Sequence, residues 1–97
     1  MRLLPPIIAE HVREAVGYAH YSHRAVRNMY EAALGKRERL KLHRVKLDYW
    51  LDTEYDLANL LDLAERAGRV ETNLERTEAK IRALQNELIK RRLRELA

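Results

Sequence analysis

Nine positions between Leu60 and Leu88 constrain this chain more than any other feature of it. Leu60, Leu63, Ala67, Val70, Leu74, Thr77, Ile81, Leu84 and Leu88 follow one another at alternating steps of three and four. That is an a/d heptad pattern whose phase never slips. Most other positions from 71 to 92 are charged or amide residues, so the helix carrying the pattern offers a narrow apolar seam rather than a broad core face. A stripe of this kind leaves water only when another helix lies along it. With 97 residues, the chain is near the size at which a single core is marginal. The expected cover is a second copy, and the nine residues are the predicted homo-oligomer interface.

Upstream, Pro5 and Pro6 suit the first turn of a helix, where a missing N–H costs nothing. Ile8, Val12, Ala15, Ala19, Ser22, Val26, Met29 and Ala33 then step by four and three, which predicts a first helix over about 6–34 with Gly35 as its C′ residue. A second helix over about 36–67 carries Leu40, Leu47, Trp50, Leu51, Leu57, Ala58, Leu61 and Ala64 on one face. Between Leu57 and Ala67 it bears the heptad seam as well, so this segment should be the most buried of the protein.

Gly68 decides the architecture. If it ends the second helix, Thr72 and Glu75 form a capping box for a third over about 69–95, and the chain is a three-helix bundle. If helix runs through it, at a cost of about 1 kcal/mol, the chain is a helical hairpin with one long arm. The unbroken heptad phase favours continuity. Either way the expected fold is all-α, one domain over 1–97, oligomeric, with a C-terminal coiled-coil helix.

Composition removes several classes of function. Cysteine is absent, so disulfides and thiol chemistry are excluded. The start, MRLLPPII, does not read as a signal peptide, and no apolar run is long enough to span a bilayer; a cytoplasmic protein of a bacterial or phage-infected cell is expected. The sequence has no nucleophile–base pair and no phosphate-cradling glycine loop. His20 and His23 sit at i, i+3 without a Glu-x-x-His motif, and Asp48, Asp52 and Asp56 read as a solvated face. No catalytic residue, metal site or cofactor is expected.

What remains is charge. The net formal charge is +4, and cations gather in Lys36, Arg37, Arg39, Lys41, Arg44 and Lys46, and again in Lys90, Arg91, Arg92 and Arg94. Arg37, Lys41 and Arg44 fall at i, i+4, i+7 and so share one helix face. Tyr30, Tyr49 and Trp50 interleave with the first cluster. Rings beside cations are what single-stranded nucleic acid binding uses; Trp50 falls on the inward stripe, which leaves Tyr49 as the expected platform. The candidate nucleic-acid contacts are Arg37, Arg39, Lys41, Arg44, Lys46, Tyr49, Arg91 and Arg92.

The basic run leading into KLDYW (46–50), followed by VETNL (70–74) opening a basic C-terminal helix, resembles phage recombination mediators of the UvsY type over about half the chain. That resemblance implies a helical, oligomeric single-stranded-DNA binder that helps load a recombinase, with Lys41, Arg44, Lys46 and Tyr49 facing the DNA. The expected partners are thus further copies of the chain and nucleic acid or another polyanion. The other function open to such a sequence is a protein-interaction module, a scaffold or an inhibitor docking on a host protein, with no nucleic-acid binding. No membrane partner is expected.

Overall fold

A computed structural model describes residues 17–97. Over these the chain forms two long α-helices, α1 (His23–Thr53) and α2 (Leu57–Leu96), packed antiparallel on each other, with Glu54–Asp56 as their connection. No strand occurs among the described residues. The longest dimension, 59 Å, matches α2 alone, 40 residues at ~1.5 Å of rise each. None of the described helices is long and apolar enough to cross a membrane.

Two expected helix boundaries are corrected. Gly35 lies inside α1 and ends nothing: its backbone is helical, and a Cβ there would meet the Arg39 Nη1 at an ordinary 3.5 Å. The helix expected over 36–67 is broken at 54–56, where neither glycine nor proline marks a turn. Three side chains make the turn instead. The Thr53 hydroxyl donates to the Tyr49 carbonyl at 3.0 Å. The Glu54 carboxylate accepts from the backbone N–H groups of Tyr55 (3.1 Å) and Asp56 (3.0 Å). Asp56 then caps α2 by accepting from the Asn59 N–H at 3.2 Å, which satisfies one of the free donors of a first turn. Past this cap, helix continues through Gly68 to Leu96 without interruption.

The beginning of the expected first helix is corrected as well. Residues 17–20 form a turn closed by the Tyr21 N–H on the Tyr18 carbonyl at 3.1 Å. Gly17 has φ +74°, a conformation that only glycine adopts cheaply. α1 starts beyond it, with the Ser22 hydroxyl accepting from the Ala25 N–H at 3.1 Å. The expected helical start at Pro5 and Pro6, with Ile8, Val12 and Ala15 on its stripe, lies outside the described residues.

The helix that covers the heptad seam is α1 of the same chain. Val70, Leu74, Thr77, Ile81 and Leu84 are buried without any second copy, while Leu60, Leu63, Ala67 and Leu88 are half-buried. Thr77 is tolerated in the stripe because its hydroxyl donates to the Asn73 carbonyl at 2.8 Å. From α1, Val26, Ala33 and Leu47 are buried and Met29, Tyr30, Leu34, Leu40 and Leu51 half-buried, again at steps of three and four. The seam thus has its partner within the hairpin and by itself demands no further chain. The segment expected to be most buried is not: Leu57 and Leu61 are 71% and 65% exposed, and Ala58 and Ala64 are exposed too.

Three glycines in two environments make the hairpin testable. Gly68→Ala and Gly35→Ala should each stabilise the fold, by up to about 1 kcal/mol, since alanine is the better residue at a helical φ. Gly17→Ala should destabilise it by about 1 kcal/mol, because a Cβ is strained at positive φ. Thermal unfolding followed by circular dichroism reads all three; a loss of stability in Gly68→Ala would contradict the continuous α2.

Candidate nucleic-acid interface

The first cationic cluster divides between two flanks of α1. Arg37, Lys41 and Arg44, expected together on one face, do share it, but each has a carboxylate nearby. Arg44 Nη1 meets Glu71 Oε2 of α2 at 2.8 Å, an interhelical pair that also fixes the register of the hairpin. Lys41 Nζ lies 3.9 Å from Glu38 Oε1. Arg37 Nε is 3.7 Å from the same Glu38 oxygen and is buried without a hydrogen-bond partner among the described residues. These pairs are largely solvated and each worth little, yet they neutralise the flank locally.

On the other flank, Lys36, Arg39, His43, Lys46 and Trp50 recur at steps of three, four, three and four. At 100° per residue this strip lies about a quarter turn from the inward face. All five residues stand open to solvent, Trp50 by 46%. Among the described residues no carboxylate stands within ion-pair distance of Lys36, Arg39 or Lys46. Trp50, expected in the core from its position on the apolar stripe, stands instead at the tip-ward end of the cationic strip, beside Thr53, Glu54 and Leu63. Tyr49 is 65% exposed, as its position suggests, but it faces outward with Leu42 and Val45 rather than along the strip. The strip is present in the sequence as a second heptad-spaced row. It is hard to single out there because Arg37, Lys41 and Arg44 form an equally regular row beside it.

At the opposite end of the hairpin, Arg91 leaves the set of candidate contacts. Its side chain is 14% exposed and has three acceptors. Nε donates to Glu87 Oε1 at 2.8 Å, and Nη2 donates to the carbonyls of Tyr21 (2.6 Å) and Tyr18 (3.1 Å). The guanidinium fork suits a carboxylate and two carbonyls at once, which an ammonium would not. Arg91 therefore ties the turn before α1 to the last turns of α2, and Tyr18 is buried there beside Val26, Ile81 and Leu84. The hydrogen bond from Arg91 holds the Glu87 carboxyl below the usual carboxylate range, against the opposing effect of burial, with the charges of Arg91, Arg94 and Lys90 adding to it. Arg92 is exposed, 3.4 Å from Glu95 Oε2, and lines a shallow cleft with His23, Arg27, Leu88 and Glu95.

Of the histidines, His20 stacks on Tyr21 with centroids 4.4 Å apart, and among the described residues no three of His, Cys, Asp or Glu come together in a way that could hold a metal ion. Comparison with known proteins returns no match: no family model fits the chain, and neither a curated protein nor a solved structure resembles it significantly.

The clasp at Arg91 carries its own prediction. Arg91→Ala should cost about 2 kcal/mol, since it leaves a buried carboxylate and two carbonyls without their charged donor. Because the folded-state pKa of Glu87 is lowered, the unfolded chain binds the proton more readily. The stability it contributes is present above the ordinary carboxylate value and lost as pH falls through the folded one. Glu87→Gln should therefore flatten the acid limb of a stability–pH curve measured by denaturant unfolding; an unchanged acid limb would contradict the assignment.

Proposed function

We propose that the protein is a non-enzymatic, homo-oligomeric helical accessory protein of the cytoplasm that binds nucleic acid, single-stranded DNA favoured, through α1. The observation that carries this reading is the exposed strip of Lys36, Arg39, His43 and Lys46, free of nearby carboxylates among the described residues and ending on the exposed face of Trp50. Phosphates need cations that are not already neutralised, and an indole beside them is a platform on which any base can stack. The resemblance to mediators of the UvsY type supports the same partner, but the residues differ from those it implies. Lys46 stays in the DNA-facing set, whereas Lys41 and Arg44 have acidic neighbours to displace. Tyr49 gives way to Trp50.

A few cations per chain make a weak site at cellular salt, so avidity from several copies is part of the reading. The second reading, a protein-interaction module, draws on the exposed apolar residues at the hairpin tip, Tyr55, Leu57 and Leu61.

Binding of a fluorescent random-sequence oligonucleotide, followed by anisotropy across a salt series, separates the two. Wild type should bind with a steep inverse salt dependence. Lys36→Glu with Lys46→Glu should weaken binding and flatten the log–log slope by roughly 0.7 for each phosphate no longer neutralised. Trp50→Ala should weaken binding with the slope unchanged. Lys41→Glu should do less than either cation of the strip. No binding by wild type at about 50 mM salt, where cation–phosphate attraction is strong, would overturn the reading in favour of the interaction module.

A further inference from the structure

Two apolar stripes near the hairpin tip are left uncovered by the fold. On α1, Leu42, Val45 and Tyr49 follow at steps of three and four on the side turned away from α2, each about two-thirds exposed. On α2, Leu57, Leu61 and Ala64 follow at steps of four and three on the side turned away from α1, all exposed. Large apolar side chains grouped in this way mark a contact surface rather than ordinary surface scatter.

The surroundings of the two stripes are opposite in charge. Residues 36–46 hold six lysines and arginines against one glutamate, while residues 47–65 hold six carboxylates and no lysine or arginine. The α1 stripe begins inside the basic stretch, and the α2 stripe lies wholly within the acidic one. Both stripes also sit within a few turns of the Glu54–Asp56 connection, so two hairpins side by side can bring one against the other.

We propose that the hairpin self-associates head to tail, the Leu57–Leu61–Ala64 stripe of one copy packing on the Leu42–Val45–Tyr49 stripe of the next. This inference rests on the homo-oligomer reading above and moves the assembly surface from the heptad seam, which α1 already fills, to the outer edges of the hairpin. A second copy is the occupant that the charges select, because one chain carries both the acidic and the basic half of the contact. The two halves differ, so the interface is heterologous: each copy that joins leaves one stripe of each kind free, and the assembly closes as a ring or keeps growing. Single contacts of this size fall at the low end of specific interfaces, and closure makes up for it by engaging every copy twice. The cationic strip of Lys36, Arg39 and Lys46 lies on a different side of α1 from Leu42 and Val45, so assembly leaves it open to a polyanion.

The test is complementation between two broken edges. Val45→Asp and Leu61→Asp alter exposed positions on opposite helices, and circular dichroism should show both variants helical and folded. By light scattering and analytical ultracentrifugation, wild type should run as an oligomer and each variant alone as a monomer. Mixed in equal amounts, they should form a complex of two chains and no larger, since the intact α2 stripe of Val45→Asp fits the intact α1 stripe of Leu61→Asp. A mixture that stays monomeric while wild type is oligomeric would overturn the head-to-tail pairing, as would variants that remain at the wild-type mass. A wild type that is monomeric at high concentration would overturn assembly itself. Oligonucleotide binding by the monomeric variants, weakened but still salt-dependent, tells these outcomes apart from a failure of the nucleic-acid reading.

Discussion

Everything in this hairpin depends on the packing of α1 along the heptad seam of α2. Neither helix buries its apolar stripe alone, and the propensity of a charged helix is too weak to hold it in isolation. Val70, Leu74, Ile81 and Leu84 leave water because Val26, Ala33 and Leu47 come to meet them. The short connection at Glu54–Asp56 makes that meeting local in the chain, which is the least costly way to close such a contact. Small side chains such as Ala33 let the helices approach, and the Arg44–Glu71 pair sets the register in which they do. The far end is then secured by Arg91, whose fork reaches from α2 to the carbonyls of the turn that precedes α1.

The same packing sorts the charges. Once the inward face is fixed, the cations of α1 fall on one side toward Glu71 and on the other toward solvent, and what looks in the sequence like a single cluster becomes a paired flank and a free one. It also leaves the tip of the hairpin with more apolar surface than its own core can use. An acidic tip next to a basic stretch gives the molecule a lengthwise charge asymmetry, which favours neighbours arranged with unlike parts together.

The helical character, the seam and the continuity through Gly68 are readable in the sequence because they rest on periodicity within one segment. The turn at 54–56 is not. Its makers are Thr53, Glu54 and Asp56, acting through side-chain oxygens on nearby backbone groups, and in a sequence already rich in acids they look like any solvated helix face. Gly35 misleads for the converse reason: a glycine costs a helix only about 1 kcal/mol, so it is a weak stop when packing on both sides favours helix. The apolar excess between Leu57 and Ala67 is plain in the sequence, but it serves an inward and an outward face rather than one deep core. Which cation is paired depends on where Glu71 lands across the hairpin, a matter of register that no local spacing reveals.

The central claim is that the partner of the heptad seam is the chain's own α1. The absence of cysteine allows a clean measurement: nitroxide labels on an Arg44→Cys, Glu71→Cys variant, with the distance read by pulsed electron spin resonance. An intrachain hairpin predicts a single short distance that persists when labelled protein is diluted into a large excess of unlabelled protein. A short distance that disappears on dilution would mean that the seam is filled by another copy, and would contradict the account.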